Sequence, residues 1–531
     1  MRGLFLFLLL CVGAAAAERP NIIVILADDM GFSDIGCYGG EVRTPNIDAL
    51  AEGGVRFRQF YNAGRCCPTR ASLLTGLYAH QAGIGHMTNE QDFRFDQGYG
   101  AYSGQLNRHC VTIAEALEPA GYRTLMAGKW HVGTYEGMWP VDRGFDRYFG
   151  IIRGAANFFR PAPDKLLTLD RERAIPGAGF YATDAFTDHA IEFVEESDDL
   201  DDDQPFFLYL AYTSPHWPLH AWPDDVAKYR GKYLQGWEAL RQSRFARMRE
   251  IGLLDGAWEL TEPNSLPWDI LPESLRDEMD HRMAVYAAMI DRMDQNIGRL
   301  VEALRQREEL DDTLILFLSD NGGCAEGGMI GRGPASNMVT GEGYSHSYGQ
   351  SWANASNTPF RRFKHWVDEG GIASPLVAQW PAAIEGGGRW IDEPAHLIDL
   401  MATAIDVSGA KYPKFYGGQE IQPYEGKSLR PAFAGRPIDR EAIYWEHEGN
   451  RAVRMGKWKL VAMHGEAWRL HDMTADRTEM HDVGAANPAI RKKMIGMYEA
   501  WAARVGVLPW PVERKKGYQP PKLRYPTMAD Y

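Results

Sequence analysis

Two adjacent cysteines, Cys66 and Cys67, lie in the segment GRCCPTRASLLTG, which covers residues 64–76. Adjacent cysteines seldom bond to each other, because a disulfide between them strains the intervening peptide. The chain has only six cysteines, so the pair indicates that one member has a chemical role. Arg70 follows Cys66 by four residues with Pro68 between them, which gives the pattern C-x-P-x-R.

Acidic residues follow two apolar runs directly. Asp28 and Asp29 come after NIIVILA, and Asp320 and Asn321 come after LILFLS. Three carboxylates brought together repel one another unless a cation neutralises them, and a ligand set of oxygens selects Ca²⁺ or Mg²⁺ over zinc. The segments DDMG and SDNGG are also typical of turns and helix caps. Their position after two buried runs favours the metal site.

Basic residues and histidines follow further apolar runs. Lys129 and His131 lie in GKWHVG, His216 lies in SPHWPLH, and Lys364 precedes another apolar run. Each residue alone is usually structural or solvated. Gathered around a divalent cation, two lysines and two histidines would bind a tetrahedral oxyanion and supply acid–base partners.

The apolar runs that end in these residues predict strands buried on both faces. They cover residues 21–27, 206–211 and 314–319, with a fourth run that ends at residue 129. A helix is predicted over residues 283–307 from apolar residues at helical spacing. Strands that alternate with helices predict an α/β fold, in which helices sandwich a largely parallel or mixed sheet. Ligands bind at the carboxyl ends of such strands, so we expect the polar residues to share one cleft.

The pattern changes from about residue 436. The segment EAIYWEHEGNRAVRMGKWKLVAM predicts short antiparallel strands, and AIRKKMIGMYEAWAARVG predicts a closing helix. We therefore expect a catalytic domain over residues 18–435 and a smaller antiparallel α+β domain over residues 436–531. Residues 408–437, rich in glycine and proline, are interpreted as a linker. The acidic run at 195–205 is interpreted as a solvated loop.

Composition indicates a soluble globular protein, and the N-terminus indicates export. The 531 residues are 45% apolar and 24% charged, and the net charge of −14 without a basic block argues against a nucleic-acid partner. Residues 1–17 have the pattern of a signal peptide, and no later run is long enough to predict a membrane span. A periplasmic or secreted location follows. Five cysteines would remain, too few for a disulfide scaffold, although one bridge is compatible with the count.

Together these motifs resemble the type I sulfatase family, which is arylsulfatase-like and part of the alkaline phosphatase superfamily. The resemblance extends from RPNIIVILADDMG to NRAVRMGKWKLV. It implies an alkaline phosphatase-like fold. It also implies that a formylglycine-generating or maturase enzyme oxidises Cys66 to Cα-formylglycine before folding, whereas Cys67 occupies the free position of the motif.

The resemblance further implies a role for each candidate residue. One Ca²⁺ would be held by Asp28, Asp29, Asp320 and Asn321 together with an oxygen on modified residue 66. Arg70 would steady that residue, Lys129 and Lys364 would bind sulfate, and His131 and His216 would be the acid–base pair. The implied reaction is hydrolysis of aryl or carbohydrate sulfates, in which the hydrated aldehyde offers one hydroxyl to attack sulfur and a second to release the sulfate.

Two alternatives remain open at this point. A phosphonate monoester or phosphodiester hydrolase can share C-x-P-x-R, whereas the D-x-H pair of a two-zinc phosphatase is missing from the sequence. A non-catalytic, Ca²⁺-dependent carbohydrate-binding protein could use Trp130, Trp217 and Trp222 as sugar platforms, although tryptophans are more often core residues. An exported, tryptophan-rich chain favours a sulfated glycan as substrate. The sequon at Asn354 would accept a glycan only in a eukaryotic host.

Overall fold

A ten-stranded mixed sheet forms the centre of the protein in a computed structural model that describes residues 19–88, 96–135, 137–198 and 204–519. In sheet order its strands are Arg389–Ile391, Val55–Phe57, Leu376–Gln379, Thr313–Ser319, Asn21–Ala27, Phe206–Ala211, Arg123–Lys129, Arg147–Ile151, Leu167–Leu169 and Glu172–Arg173. The five strands from Thr313–Ser319 to Arg147–Ile151 run parallel, and antiparallel pairs lie toward both edges. Three predicted strands therefore lie side by side with the one that ends at Lys129.

Helices cover both faces of this sheet. The α-helices are Pro45–Gly53, Cys66–Thr75, Ala79–Ala82, Ile113–Leu117, Ala182–Asp198, Pro223–Ala227, Trp237–Glu250, Glu273–Gln306, Gly349–Ser356, Glu369–Ile372, Asp399–Ser408, Arg430–Phe433 and Pro488–Val505. Alternate residues of the strand Asn21–Ala27 point to opposite faces, as strand geometry requires. Ile23 and Ile25 join one hydrophobic core, and Val24 and Leu26 join the other. The predicted α/β sandwich is confirmed.

A separate four-stranded antiparallel sheet follows near the C-terminus. Its strands are Ile443–His447, Asn450–Met455, Trp458–Ala462 and Arg469–Asp472, and the helix Pro488–Val505 packs against it. Two small sheets complete the fold, one formed by Ala373–Ser374, Phe60–Tyr61 and Ala395–His396, the other by Phe415–Tyr416 and Gln419–Glu420. The C-terminal antiparallel sheet was predicted. The boundaries 18–435 and 436–531 stay a prediction, and the signal peptide at 1–17 lies outside the described residues.

Three local expectations were wrong. The helix Glu273–Gln306 begins ten residues before the predicted start at 283, because its first turns are largely polar and carry little apolar periodicity. The helix Ala182–Asp198 includes the first part of the acidic run, since its apolar face with Phe186 and Phe193 stabilises the helix regardless of the acidic residues beside it. The supposed linker at 408–437 contains a hairpin and a short helix, and Leu429 and Phe433 are buried in the core.

Other expectations concern bonds and modification. Cys37, Cys66, Cys67, Cys110 and Cys324 are all free and buried, so the described cysteines form no disulfide. The sequon residue Asn354 is fully buried and its Oδ1 accepts a hydrogen bond from Asn264 N, which leaves no room for a glycan in the folded chain. Among the described helices, none has the length and apolar character needed to cross a bilayer.

Candidate active site

The acidic residues meet at the carboxyl ends of two adjacent parallel strands. Asp320 N donates to Ala27 O, and Asp29 N donates to Asp320 Oδ1 at 3.0 Å. Asp29 has a φ of 66°, a left-handed conformation that aspartate tolerates better than most residues. Asn321 Nδ2 donates to Asp29 Oδ1 at 2.7 Å. The two strand ends therefore gather three carboxyl groups and an amide.

Two oxygens of this group have no hydrogen-bond partner among the described residues: Asp28 Oδ1 and Asn321 Oδ1. Both side chains are fully buried, and a buried oxygen without a partner is costly. A bound cation would satisfy both atoms, and the donor set of carboxylates and an amide oxygen suits a hard ion such as Ca²⁺. The residues present therefore fit the implied metal.

Three buried cations surround the acids. Lys129 Nζ lies 2.7 Å from Asp28 Oδ2, Lys364 Nζ lies 2.8 Å from Asp29 Oδ1, and Arg70 NH2 lies 3.3 Å from Asp320 Oδ2. Burial raises the pKa of Asp28, but Lys129, His216 and Arg70 outweigh it and hold that pKa well below its usual range. Burial and the charge of Asp28 raise the pKa of Asp320 far above normal. Asp28 and Asp320 are therefore close enough that the negative charge of one carboxylate disfavours ionisation of the other.

The helix Cys66–Thr75 explains the spacing of the C-x-P-x-R motif. Residues four apart lie on one face of a helix, so Cys66 and Arg70 share the face that looks toward the acids. Pro68 lies in the first turn, where a missing N–H costs little. Arg70 NH1 donates to Lys129 O at 2.9 Å, which ties this helix to the neighbouring strand end.

The two adjacent cysteines have different surroundings. Cys66 lines a cavity, whereas Cys67 packs into the core and its Sγ accepts a hydrogen bond from Thr88 N at 3.3 Å. A hydrogen bond from the Cys67 thiol outweighs burial and, with Lys129 and Lys364, lowers the pKa of the Cys66 thiol. Burial raises the pKa of Cys67. Cys66 is therefore the member of the pair that faces the charged groups.

His131 and His216 lie on the wall of the same cavity. His216 Nε2 is 3.1 Å from Lys364 Nζ and 3.2 Å from Asp29 Oδ2, and its Nδ1 is hydrogen-bonded to Trp217 O. Because only a donor nitrogen can bond that carbonyl, Nε2 is the atom of neutral His216 that accepts protons. Burial lowers the pKa of both histidines, although the thiolate of Cys66 opposes the effect at His131.

The cavity has a volume of about 300 Å³ and brings five candidate residues to one surface. These residues are Cys66, Lys129, His131, His216 and Lys364. The other five candidates contact one or more of these residues or each other, and they are Asp28, Asp29, Arg70, Asp320 and Asn321. Of the three tryptophans considered as sugar platforms, Trp217 lines the cavity, Trp130 is a core residue and Trp222 packs against the core.

Several cavity residues carry no signal that sequence reasoning used. They are Arg65, Met87, Thr88, Thr134, Arg153, Gly154, Ala155, Asp164, Lys165, Glu326 and Tyr344. Glu326 accepts hydrogen bonds from Arg65 NH2 at 3.0 Å and from Trp217 Nε1 at 2.9 Å. Burial raises its pKa, but Lys364 and Arg65 outweigh burial and lower the pKa to about 2. The one sequence feature that could have indicated a role for Glu326 in the site is its position five residues after Asn321.

Comparisons with known proteins identify the family of the chain. The sequence model of the Sulfatase family matches residues 20–410. A Schizosaccharomyces pombe protein named an uncharacterized sulfatase is 33% identical over 94% of this chain and 96% of its own length. The arylsulfatase of Klebsiella aerogenes is 34% identical over 78% of this chain and 92% of its own.

A solved structure shares the fold over nearly the whole chain. It is Ps i-CgsB in complex with k-i-k-neocarrahexaose, with a TM-score of 0.69, 26% identity, and coverage of 97% of this chain and 96% of that one. The family match covers most of the chain and includes every candidate site residue. The protein therefore belongs to the sulfatase family and is a sulfuric ester hydrolase.

Proposed function

We propose that the protein hydrolyses small, polar sulfate esters with Cys66 converted to Cα-formylglycine and with one bound Ca²⁺. The observation that supports this most strongly is the position of Cys66. It lines a cavity together with two lysines and two histidines, next to an acidic cluster in which one carboxylate oxygen and one amide oxygen have no partner among the described residues. The hydrated aldehyde would supply an oxygen nucleophile, and Ca²⁺ would lower the pKa of its hydroxyl group. Asp28, Asp29, Asp320 and Asn321 would hold the ion with an oxygen on residue 66.

The two lysines and Arg70 would stabilise the negative charges of the bound sulfate and of the acidic residues. Lys129 and Lys364 place two ammonium groups in the cavity wall beside Cys66, where they would bind the oxygens of a sulfate group. Both lie in a fixed position because each is paired with a buried carboxylate. Arg70 donates hydrogen bonds to Lys129 O and Asp320, and it would hold residue 66 and the acidic residues in fixed positions relative to each other.

The histidines would move protons. His216 lines the cavity and its Nε2 lies 3.1 Å from Lys364 Nζ, so the protonated ring would give a proton to the departing alcohol oxygen. His131 lies on the same wall and would accept the proton from the second hydroxyl on residue 66 when sulfate is released. One histidine would therefore act on the alcohol and the other on the enzyme's own hydroxyl.

The cavity lining favours a carbohydrate sulfate over a sterol sulfate. Asp164 and Glu326 offer carboxylates for sugar hydroxyl groups, and Trp217 and Tyr344 meet edge-to-face with ring centroids 5.8 Å apart. A sterol would need a larger apolar surface, because affinity for such a ligand comes from buried apolar area. An export route and a formylglycine-generating or maturase enzyme are part of the same proposal.

The test measures conversion and specificity on the same preparation. We expect the tryptic peptide that contains residue 66 to have the mass of formylglycine, and free sulfate to be released fastest from sugar monosulfates in a panel with nitrophenyl sulfate and steryl sulfate. A phosphodiester or phosphonate monoester hydrolysed faster than every sulfate would contradict the proposal. An unmodified Cys66 in a native protein that binds glycans without turnover would favour the carbohydrate-binding alternative.

A further inference from the structure

A second cluster of metal-ligating side chains lies outside the active-site cavity. His365, His447 and Glu448 place one ligand atom each within 4.8 Å of one another. The rings of His365 and His447 have centroids 5.2 Å apart at 81°, and His365 Nδ1 lies 3.6 Å from Glu448 Oε2. That distance is long for a hydrogen bond. It is close to the edge of about 3.4 Å between neighbouring ligands of a tetrahedral zinc ion.

His447 provides a second observation. Its side chain is fully buried, and neither Nδ1 nor Nε2 has a hydrogen-bond partner in the part of the chain that the structure describes. Buried polar groups are almost always partnered by protein or water, so an imidazole with two unsatisfied nitrogens beside another histidine and a carboxylate needs an explanation. A metal ion bound to one nitrogen would provide it.

The backbone of the cluster is also unusual. Glu448 and Gly449 form the two-residue turn between the strands Ile443–His447 and Asn450–Met455, with φ values of 51° and 84°. A turn with both angles positive normally has asparagine, aspartate or glycine at its first position, not glutamate. His365 is likewise left-handed, with a φ of 88°. Two non-glycine residues hold rare conformations where their side chains converge.

We propose that His365, His447 and Glu448 form a zinc site that joins the C-terminal sheet to the loop of Lys364. Two imidazoles and one carboxylate are typical zinc ligands and differ from the oxygen donors expected to hold Ca²⁺. His365 N donates to Gly64 O at 2.7 Å, so the ion would also fix the residues that precede Cys66. The ion would hold these two segments together, and the assignment does not depend on the proposed hydrolysis.

The experiment uses the full-length protein, saturated with Ca²⁺ and dialysed against micromolar zinc. We expect one tightly bound zinc per chain by elemental analysis, and tetrahedral visible absorption bands when cobalt replaces zinc. Glu448→Gln keeps the shape of the side chain, and His365→Gln changes a side chain that is 28% exposed, so both variants should fold. Each should bind zinc far more weakly, beyond the roughly 10–100-fold typical of losing an outer-sphere partner, and lose the cobalt bands.

Two controls separate this site from other binding. His464→Gln changes an exposed histidine beside the same turn and should keep the zinc. Asp320→Asn changes the acidic cluster and should keep it as well. Zinc should also raise the unfolding temperature of the wild type but not of Glu448→Gln. A wild type that binds no zinc at micromolar concentration, or zinc retained by Glu448→Gln but lost from Asp320→Asn, would overturn the assignment.

Discussion

At the scale of single residues, the surroundings of Cys66 and Cys67 differ more than their sequence positions suggest. One thiol faces two lysines and a histidine, and the other lies in the core with a raised pKa and accepts a hydrogen bond from Thr88 N. Reactivity therefore follows from the direction in which each side chain points, which the helix Cys66–Thr75 determines.

The first prediction compares substitutions of the two cysteines. Cys66→Ala should fold and lose at least about 10⁴-fold in kcat, because it would remove the proposed nucleophile from residues that would act as a unit. Cys67→Ala should keep most activity and lose about 2 kcal/mol of stability at most, since it removes one sulfur from the core. Sulfate release and chemical denaturation measure the two effects. Substantial turnover by Cys66→Ala would refute the formylglycine proposal.

The second prediction separates the two histidines. Protonation of a leaving group matters more as that group becomes more basic, and general acid catalysis contributes about 10²–10⁴-fold. His216→Ala should therefore lose far more kcat/KM on a sugar sulfate than on nitrophenyl sulfate. His131→Ala should show a loss in kcat that changes little with the leaving group. Equal fractional losses for His216→Ala across leaving groups of graded pKa would exclude it as the general acid.

The residues missed at this scale lie in loops. Glu326 and Tyr344 belong to the 42 residues between Asn321 and Lys364, a segment without apolar periodicity that would have predicted where its side chains point. Asp28 could be identified because it follows a buried strand, and Lys129 because it is the last residue of one, since a strand fixes the position of its own end. A loop residue reaches the cavity through tertiary contacts, which the local sequence does not record.

At the scale of elements, one helix caps another. The side chain of Thr44 does not cap the helix Pro45–Gly53, and instead Asp294, from the helix Glu273–Gln306, accepts hydrogen bonds from Asn46 N and Ile47 N. A carboxylate near the positive end of a helix is also favoured by the helix dipole. The two helices are therefore joined by their polar ends as well as by packing.

The third prediction tests that cap. Asp294→Ala leaves the buried N–H of Ile47 and the partly buried N–H of Asn46 without this acceptor, so it should lower the free energy of unfolding by about 1–3 kcal/mol. Asp294→Asn retains one acceptor oxygen and should lose less. Urea denaturation measures both changes. Equal losses for the two variants would show that the charge, and not the hydrogen bonds, carries the effect.

Much of the element pattern was predictable. Strands buried on both faces are continuous apolar runs, so their ends could be placed within a residue, as for Thr313–Ser319. Helix ends were less predictable, because the first turns of Glu273–Gln306 are exposed and polar. The Gly- and Pro-rich segment at 408–437 was misread because composition does not show that Leu429 and Phe433 contact the core.

At the scale of the whole molecule, buried charges attach the C-terminal sheet to the central domain. Lys459 Nζ lies 2.9 Å from Glu369 Oε1 and 2.8 Å from Glu479 Oε1, and Arg477 Nε lies 3.1 Å from Glu369 Oε2. All four side chains are fully buried. This network joins the strand Trp458–Ala462 to the helix Glu369–Ile372, five residues after Lys364.

The fourth prediction concerns this network. Lys459→Met leaves Glu479 buried without its lysine and leaves Glu369 paired with Arg477 alone, so it should destabilise the protein by about 3–5 kcal/mol. Lys457→Met removes a half-exposed lysine in the turn before the strand Trp458–Ala462, where it pairs with Asp472. This variant should lose about 1 kcal/mol of stability or less. Thermal unfolding compares the two. Similar unfolding temperatures would mean that apolar packing alone attaches the sheet.

The fifth prediction follows from buried histidines. Burial lowers the pKa of His220 to about 4 and that of His396 to about 3, from a usual value of 6.5. The unfolded chain then takes up protons below pH 6.5 while the folded chain resists, so stability is complete above that pH and falls as the pH drops toward the folded pKa values. At about 1.4 kcal/mol per pKa unit, His220 alone accounts for about 3 kcal/mol.

Unfolding temperatures measured between neutral pH and mildly acidic pH should show this loss. His220→Gln should flatten part of the curve, and His481→Gln, at an exposed position, should not. A His220→Gln curve parallel to that of the wild type would assign the acid sensitivity to other groups.

On the proposed chemistry, the burial of every residue in the helix Cys66–Thr75 would also set an order of events during biosynthesis. A modifying enzyme must close its own active site around residue 66, and the folded chain offers only the inside of a cavity. On the proposed chemistry, conversion of Cys66 therefore competes kinetically with folding. Each chain that folds first is trapped as an inert but stable protein, so slower folding, or delayed release by a chaperone, would raise the active fraction without any change in the active site.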